Sequence, residues 1–415
     1  MILTQLSGKN LLDNDLAGRN LVSKELAIFG AFCLFLSAVE YMIPKPLPFF
    51  RIGLANLPLM LAIDIFPLPS FLVLICIKVF GQALITGTLF SYIFLFSVTG
   101  TFLSALLMYF LRRALKKERV TFIGVGTLGA VVSNLSQVSL AYFFIFKENV
   151  FYIAPAFLTA GLVTGIALGV FCEVFANKSK WYEEKIRDKK EEIRNEEEEL
   201  KNEEKIISGK NISSSMSSLI KFNENIFSAK ALFLTGLIII PAVLFNPSVE
   251  YRCLQFLFFW FLAIISGRKT NTLFTIFITA FIIVFNLLIP YGKVLFSIGA
   301  FKITSGALEA GLFRAVTLQA LVMLSKVTIR NDLKLPGAFG QLLSSSLQYF
   351  SIILSRKHRI TGKNLIADID TLMMELGREQ LSPADTVTKK TKPVGYVILI
   401  VVVVISWLPW LKIVF

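Results

Sequence analysis

The chain has 415 residues, of which 55% are hydrophobic and 17% are charged, and its formal net charge is +14. A soluble domain usually has about 25% charged and about 45–50% apolar residues. The apolar excess therefore excludes an ordinary soluble protein and indicates a membrane protein. The single histidine, His358, excludes sites that need two histidines. The four cysteines show no CxxC spacing, so the sequence predicts neither a zinc site nor a disulfide framework.

The amino-terminal block, residues 26–177, contains six apolar runs. No cleavable signal pattern precedes the first run, so we expect residues 1–25 to form a cytoplasmic segment and the first span to be retained. The runs have the lengths of membrane spans, except that the second is short and partly re-entrant in character. They lie at about 26–43, 53–66, 69–90, 91–111, 121–146 and 152–176.

A charged segment separates this block from the rest of the chain. Residues 178–206 contain 11 acidic and 9 basic side chains in alternating groups without proline or glycine. Such a pattern is typical of a solvated helix stabilised by pairs four residues apart. A serine-rich stretch follows, and we interpret residues 178–228 as a linker rather than a docking site.

The carboxy-terminal block, residues 229–415, contains further apolar runs at about 229–246, 252–266, 272–290 and 303–325, and a last span at 394–411. In residues 335–377 the apolar pattern is interrupted by polar side chains. If this segment crossed the membrane, its basic residues would lie on the outer side. We therefore expect amphipathic helices flat on the cytoplasmic face, with their apolar sides in the lipid boundary. The predicted fold is an all-α polytopic membrane protein with ten or eleven spans.

Orientation follows from the basic residues. The densest basic loop holds Arg112, Arg113, Lys116, Lys117 and Arg119. The positive-inside rule places this loop in the cytoplasm. The chain should then lie in the cytoplasmic (inner) membrane with its amino terminus inside.

Polar residues within the apolar runs mark the candidate site. Lys78 lies near the middle of a span, where a charge costs about 2.5–3.5 kcal/mol, so it should face the bundle interior. It either binds an anionic ligand or forms a structural pair with Glu40. Asn134 and Gln137 lie three residues apart on one helical face, where they either line a pocket or bond to a neighbouring helix.

Small residues predict helix contacts. Gly161, Gly165 and Gly169 form a double GxxxG pattern, which permits close approach of another helix. We interpret it first as packing within the bundle and second as a subunit interface. Ala27 and Ala31 form a weaker pair of small residues on the first span.

The sequence lacks the motifs of several catalysts. It has no GxxxxGK[ST] loop for ATP and no DDxxD cluster for magnesium and diphosphate, Asp368 and Asp370 being the nearest pair. We expect no catalysis by this polypeptide alone, no metal and no nucleic-acid partner.

Residues from about 26 to 176 resemble the heptaprenyl diphosphate synthase component I family, also described as Gx transporter proteins. The resemblance is carried by PLPFFRIGLANLPLMLAI at 46–63, IKVFGQALITGTLFS with Lys78, SVTGTFLSALLMYFL, and IGVGTLGAVVSNLSQV with Asn134 and Gln137. It implies a six-span substrate-binding S component of energy-coupling factor transporters. In that setting Ala27 and Ala31 would contact the transmembrane coupling subunit.

Residues from about 229 to 415 more weakly resemble the T component of the same transporters. The resemblance rests on ITSGALEAGLFRAVTLQALVMLSKVT followed by LPGAFGQLLSSSLQYFSIIL. It implies that residues 335–377 are coupling helices for ATPase subunits. The sequence lacks the usual Arg-Gly-rich signatures there and offers only Arg356, Lys357 and Arg359 in SRKHRITGKN.

Together these features predict ATP-driven uptake of a small hydrophilic or amphipathic nutrient, and the basic residues favour an anionic or carbonyl-rich one. Its binding residues would be Arg51, Asn56, Lys78, Gln82, Asn134 and Gln137. The chain itself would carry no cofactor, and ATP would bind a separate homodimeric or heterodimeric pair of ABC-type ATPase subunits. The principal alternative is a membrane scaffold or accessory subunit of polyprenyl diphosphate synthesis. A third hypothesis is an ATP-independent transporter that uses Glu40 and Lys78 as an ion-coupled pair.

Overall fold

The computed structural model describes residues 2–43, 51–115, 120–188, 227–268, 270–299, 301–330, 333, 335–360, 364–379, 381 and 391–414. The predicted Lys116, Lys117 and Arg119 of the basic loop lie outside these residues, as does most of the linker. Within the linker, residues 180–188 are helical.

The predicted all-α class is confirmed, because the described chain is almost entirely helical. The amino-terminal block contains α1 (Ile2–Met42), α2 (Leu57–Ala62), α3 (Leu68–Thr86), α4 (Tyr92–Ala114), α5 (Phe122–Ala141) and α6 (Val150–Lys178). The carboxy-terminal block contains α7 (Ala229–Leu244), α8 (Val249–Ile265), α9 (Thr272–Asn286), α10 (Ser305–Thr328), α11 (Gly337–Arg356), α12 (Leu365–Arg378) and α13 (Pro393–Val414).

The multi-pass membrane character is also confirmed. Five described helical segments are long and apolar enough to cross a membrane, and one of them, Phe122–Lys178, comprises both α5 and α6. The others are Val22–Met42, Leu68–Thr86, Tyr92–Ala114 and Ser305–Thr328. Shorter apolar helices lie at Ala229–Leu244, Thr272–Asn286 and Pro393–Pro409. The span count of ten or eleven stays a prediction.

The first helix is longer than the predicted span. It begins at Ile2 and continues without a break to Met42, so residues 2–25 are continuous with the first span, and their cytoplasmic position stays a prediction. A helix of 41 residues is about 62 Å long, roughly twice the hydrocarbon thickness of a bilayer.

The short second run is a partly unwound segment. Its α-helix, α2, has six residues and is only about 9 Å long. Before α2 the backbone passes through Gly53, whose φ is +89°, and a single 3₁₀ turn at Leu54–Asn56. Irregular backbone at membrane depth is tolerated where it is buried in protein or lines a cavity. Both conditions hold here, because α2 is entirely buried and residues 51–56 border the cavity described below.

Contacts define two ends of the amino-terminal block. At the basic end, Arg112 of α4 pairs with Asp64, and Lys185 pairs with Glu25 of α1 at 2.7 Å. At the far end lie the α3–α4 connection at 87–91 and the α5–α6 connection at 142–149. The Lys185–Glu25 pair shows that the block enters and leaves at the same end.

Helix α10 lies across the far end. Ser325 Oγ accepts a hydrogen bond from the backbone amide of Phe90 in the α3–α4 connection at 3.2 Å. Eleven residues earlier, Arg314 donates to the carbonyl oxygen of Ile145 in the α5–α6 connection at 3.4 Å. Eleven helical residues span about 17 Å. One helix therefore contacts both connections at the same end, which places it transverse to the bundle.

Helix α11 runs along α1 and α3. The ring centroids of Phe80 and Phe339 are 5.8 Å apart, and a Cβ atom on Gly30 would lie 2.7 Å from Ser346 Oγ. Tyr349 and Ile353 continue this contact into the core that surrounds α1. Helix α12 adds further apolar residues to the same core, namely Ile369, Leu372, Met373 and Leu376.

The predicted placement of α11 and α12 is therefore corrected. We expected their apolar sides to face lipid, but both helices bury those sides against protein. The reason is that α1 is an apolar helix whose residues share one core with the apolar stripes of α11 and α12. The structure also contains a short β-hairpin that the sequence analysis did not predict. Its strands, β1 (Val294–Ile298) and β2 (Phe301–Thr304), pair antiparallel. Gly299, with a φ of +58°, lies in the turn between them.

Candidate solute-binding cavity

The structure brings all six predicted substrate-binding residues together around one cavity. It lies between α1, the unwound segment 51–56 and helices α3 to α6. Its volume is about 40 Å³. Each water needs roughly 10–15 Å³ by the same measure, so the cavity has room for about three waters. The lining residues from the prediction are Arg51, Asn56, Lys78, Gln82, Asn134 and Gln137.

Lys78 is the central cation of this cavity. Its side chain is buried, and its ammonium group donates to Asn56 Oδ1 and, at 3.3 Å, to Thr101 Oγ1. Both partners are neutral oxygens. An ammonium group has three donors, so two contacts leave capacity for a third acceptor. The contacts described for Lys78 are to an amide and a hydroxyl, and Glu40 lines the same cavity, so the structural pairing of Lys78 with Glu40 stays an alternative.

Arg51 and Glu40 also line this cavity. Arg51 donates to Ser97 Oγ at 2.6 Å and to the carbonyl oxygen of Ile93 at 3.1 Å. Glu40 Oε2 accepts from the backbone amide of Gly53 at 3.2 Å. Among the described lining residues, the ionisable groups are therefore two cations and one carboxylate. With all three ionised, the cavity has a net charge of +1 and favours an anion.

Two glutamines that line the cavity each have an oxygen atom without a hydrogen-bond partner among the described residues. Gln137 is 4% exposed, and its Nε2 donates to Ser133 Oγ at 3.1 Å. Its Oε1 and that of Gln82 are buried and have no hydrogen-bond partner among the described residues. A buried polar atom without a partner costs about 1–3 kcal/mol, so a hydrogen-bond donor that reached these atoms would stabilise the protein.

Asn134 has a different role from Gln137, although they share a helical face. Its Nδ2 donates to the carbonyl oxygen of Phe157 on α6 at 3.0 Å. A Cβ atom on Gly161 would lie 1.6 Å from that Nδ2. The glycine therefore creates the space in which Asn134 bridges α5 and α6 while it lines the cavity.

The other two glycines of the stripe allow α5 and α6 to touch along their backbones. A Cβ atom on Gly165 would lie 2.6 Å from the Cβ of Ala130, and one on Gly169 would lie 2.6 Å from the Cα of Ile123. In this structure the double GxxxG pattern thus packs within the bundle, the first of the two interpretations made from the sequence.

Sequence reasoning missed the hydroxyl groups of the site. Ser97 accepts from Arg51, Thr101 accepts from Lys78, and Ser133 accepts from Gln137. Serine and threonine in apolar helices commonly bond to a carbonyl of the preceding turn, so their presence gives little signal of a site. Thr101 and Ser97 lie four residues apart on α4, and this spacing on the helix that faces Lys78 was the available clue.

The predicted interface residues lie at a contact within the chain. Ala27 and Ala31 are 1% and 0% exposed and belong to the core that also contains Tyr349 and Ile353 of α11. Between Ala27 and Ala31 lies Gly30, on which a Cβ atom would lie 2.7 Å from Ser346 Oγ of α11, so the first span meets the carboxy-terminal block at this small residue.

The three predicted ATPase-coupling cations differ in their surroundings. Arg356 donates to Glu379 at 2.7 Å, and Arg359 donates to Glu375 at 3.0 Å. Lys357 between them is exposed. Two of the three cations therefore hold the end of α11 against α12.

Comparisons with known proteins agree with the amino-terminal assignment and leave the carboxy-terminal one undecided. Residues 230–331 match the Domain of unknown function (DUF8519). No curated protein and no solved structure matches the chain. Residues 29–175, about a third of the chain, match the family model of heptaprenyl diphosphate synthase component I, and the amino-terminal block is thus similar to that family.

Proposed function

We propose that this chain is the membrane subunit of an ATP-driven uptake transporter of the energy-coupling factor type. Its amino-terminal block binds a small anionic nutrient, and its carboxy-terminal block passes the movement of separate ATPase subunits to it. The observation that carries the proposal is the cavity whose described lining holds two cations, one carboxylate and two glutamines with an amide oxygen that has no partner among the described residues. Buried ionisable groups in membrane proteins usually mark a ligand or ion site.

The contacts between the blocks support the coupling part of the proposal. Helix α11 packs against α1 at Gly30, while α10 contacts both connections at the far end of the bundle. Helices α11 and α12 are joined by the Arg356–Glu379 and Arg359–Glu375 pairs. A force applied to exposed Lys357 at this junction would therefore act on α1, which also borders the cavity through Glu40.

Affinity purification from native membranes tests this function. We expect ATPase subunits to co-purify with the chain and a small anion to be released from it on denaturation, as identified by mass spectrometry. Lys78→Ala should abolish the bound anion without loss of folded protein. Lys230→Ala, which removes an exposed lysine at the start of α7, is the control and should keep it. Unchanged anion content in Lys78→Ala would remove Lys78 from the site.

A second candidate function is favoured by the family match. The family is described as component I of a synthase, and this description implies a second component with which it works. In this second function the chain is a membrane accessory subunit of polyprenyl diphosphate synthesis. In that case a soluble prenyl synthase would co-purify with the chain in place of ATPase subunits, and Lys78→Ala would leave the complex intact.

A further inference from the structure

A second, apolar cavity adjoins the polar one. Its volume is about 20 Å³, and Val150, Ile153 and Phe157 of α6 form one of its walls. The aromatic ring of Phe281, from α9 of the carboxy-terminal block, forms another part of the lining. Apolar cavities of this kind favour hydrocarbon groups over water, because they offer water few hydrogen-bond partners.

Two residues line both cavities. Phe96 of α4 and Gln137 of α5 border the polar cavity on one side and the apolar cavity on the other. Gln137 is more than nine-tenths buried, and its Oε1 has no partner among the described residues. Among the described residues these two side chains are shared by both linings, and one of them carries the buried oxygen without a partner.

The two cavities have complementary chemistry. On the polar side, Lys78 has capacity for a third acceptor, and the described ionisable groups give a net charge of +1. On the apolar side, the walls are aliphatic and aromatic except for Gln137. A molecule that fills both must have a negatively charged head and a hydrocarbon tail.

We propose that the solute is a small amphipathic anion, with its head at Lys78 and its tail beyond Phe96 and Gln137 against Phe281. This inference rests on the proposed function and narrows its substrate class. Because Phe281 belongs to the carboxy-terminal block, the tail contacts the coupling half of the chain directly. The head is bound by one block and the tail by both.

Straight-chain carboxylates from acetate to hexanoate are suitable probes. Their binding to the full chain in lipid nanodiscs is measured by titration calorimetry, with empty nanodiscs subtracted. Affinity should rise up to about fourfold with each added methylene group until the apolar cavity is full. The matched primary alcohols should bind at least tenfold more weakly, because they lack the charge that Lys78 attracts.

Ala154→Leu tests the position of the tail. Ala154 lines the apolar cavity, and a leucine side chain there should fill it. The affinity should then no longer increase with the chain length of the carboxylate, while acetate still binds. Ala156→Leu, two residues along on an exposed part of the same helix, is the matched control and should behave like the wild type. Phe281→Ala enlarges the cavity from the other block and should shift the optimum to longer chains, which keeps the inference testable if Ala154→Leu does not fold.

The outcomes separate this inference from the function on which it rests. Equal affinity for all chain lengths, or equal binding of acids and alcohols, would overturn the amphipathic anion while an ATPase partner could still co-purify. Binding of none of the carboxylates would overturn it as well. Absence of ATPase subunits from purified complexes would overturn the proposed function, whatever the chain-length dependence.

Discussion

Asp370 in α12 accepts hydrogen bonds from the hydroxyl of Ser179 and, at 3.0 Å, from the backbone amide of Trp181. Ser179 in turn accepts from the amide of Tyr182 at 3.0 Å. These bonds cap the helical residues 180–188 that follow the amino-terminal block. A side chain of the carboxy-terminal block thus fixes the point at which the chain leaves the amino-terminal block.

Replacing Asp370 by alanine should destabilise this junction. Loss of a capping side chain costs about 0.5–2 kcal/mol, so we expect a lower unfolding temperature in nanodiscs. Asp188→Ala is the control, because the side chain of Asp188 is 50% exposed and pairs only at the surface with Lys185. Equal shifts for the two variants would show that Asp370 does not connect the blocks.

Replacing Arg112 by alanine should be much more costly. Its guanidinium group pairs with Asp64 at 3.0 Å, and the two side chains are 8% and 5% exposed. Breaking a buried pair leaves an uncompensated charge and costs about 3–5 kcal/mol. Unfolding in mixed micelles should show this loss, and adding Asp64→Asn should restore part of it. Arg113→Ala, at the exposed neighbouring residue, should have a much smaller effect, and equal losses would contradict the prediction.

Replacing Gly169 by alanine should separate α5 from α6. The new Cβ atom would lie 2.6 Å from the Cα atom of Ile123. Because the clash is with a backbone atom, it cannot be relieved by rotation of a side chain. We expect a loss of about 1–3 kcal/mol in unfolding free energy. Gly124→Ala is the control, since its nearest neighbouring atom would be 3.8 Å away. A stable Gly169→Ala variant would mean that the two helices do not pack this closely.

Replacing Asn286 by alanine should loosen the contact between the blocks at the far end. Its Nδ2 donates to the carbonyl oxygen of Ile282 at 2.7 Å and to that of Ile145 at 3.3 Å, and its Oδ1 accepts from Arg314. Amide hydrogen exchange in residues 142–149 should become faster. Asn271→Ala removes the cap at the opposite end of α9 and should leave that segment protected. The same exchange rate in both variants would rule out this role of Asn286.

The position of the cavity followed from single buried polar residues. Lys78, Gln82, Asn134 and Gln137 lie in strongly apolar runs, and the cost of burying them predicted that they face one interior. Arg51 and Asn56 entered the prediction with the motif at 46–63, and the structure places both at the unwound segment. Thr101 and Ser97 gave no such signal, because a hydroxyl group is tolerated almost anywhere on an apolar helix.

The contacts of α11 and α12 could not be predicted from their own sequences. Amphipathic periodicity shows that one face of a helix is buried, but it does not distinguish lipid from protein as the burying surface. That distinction depends on α1, whose residues 26 to 35 are buried on all sides. An apolar helix of this kind is the same in composition whether lipid or another helix surrounds it.

Helix α10 has 24 residues and is about 36 Å long, enough to stand upright through the hydrocarbon core. Because it lies transverse to the bundle it touches, the six-helix bundle and α10 cannot both follow the bilayer normal. If α10 stands along the bilayer normal, the axes of the bundle helices lie in the plane of the membrane. Helix α11, which runs along α1 and α3, then lies in that plane as well. In that orientation the two ends of the bundle would lie at the same depth in the membrane.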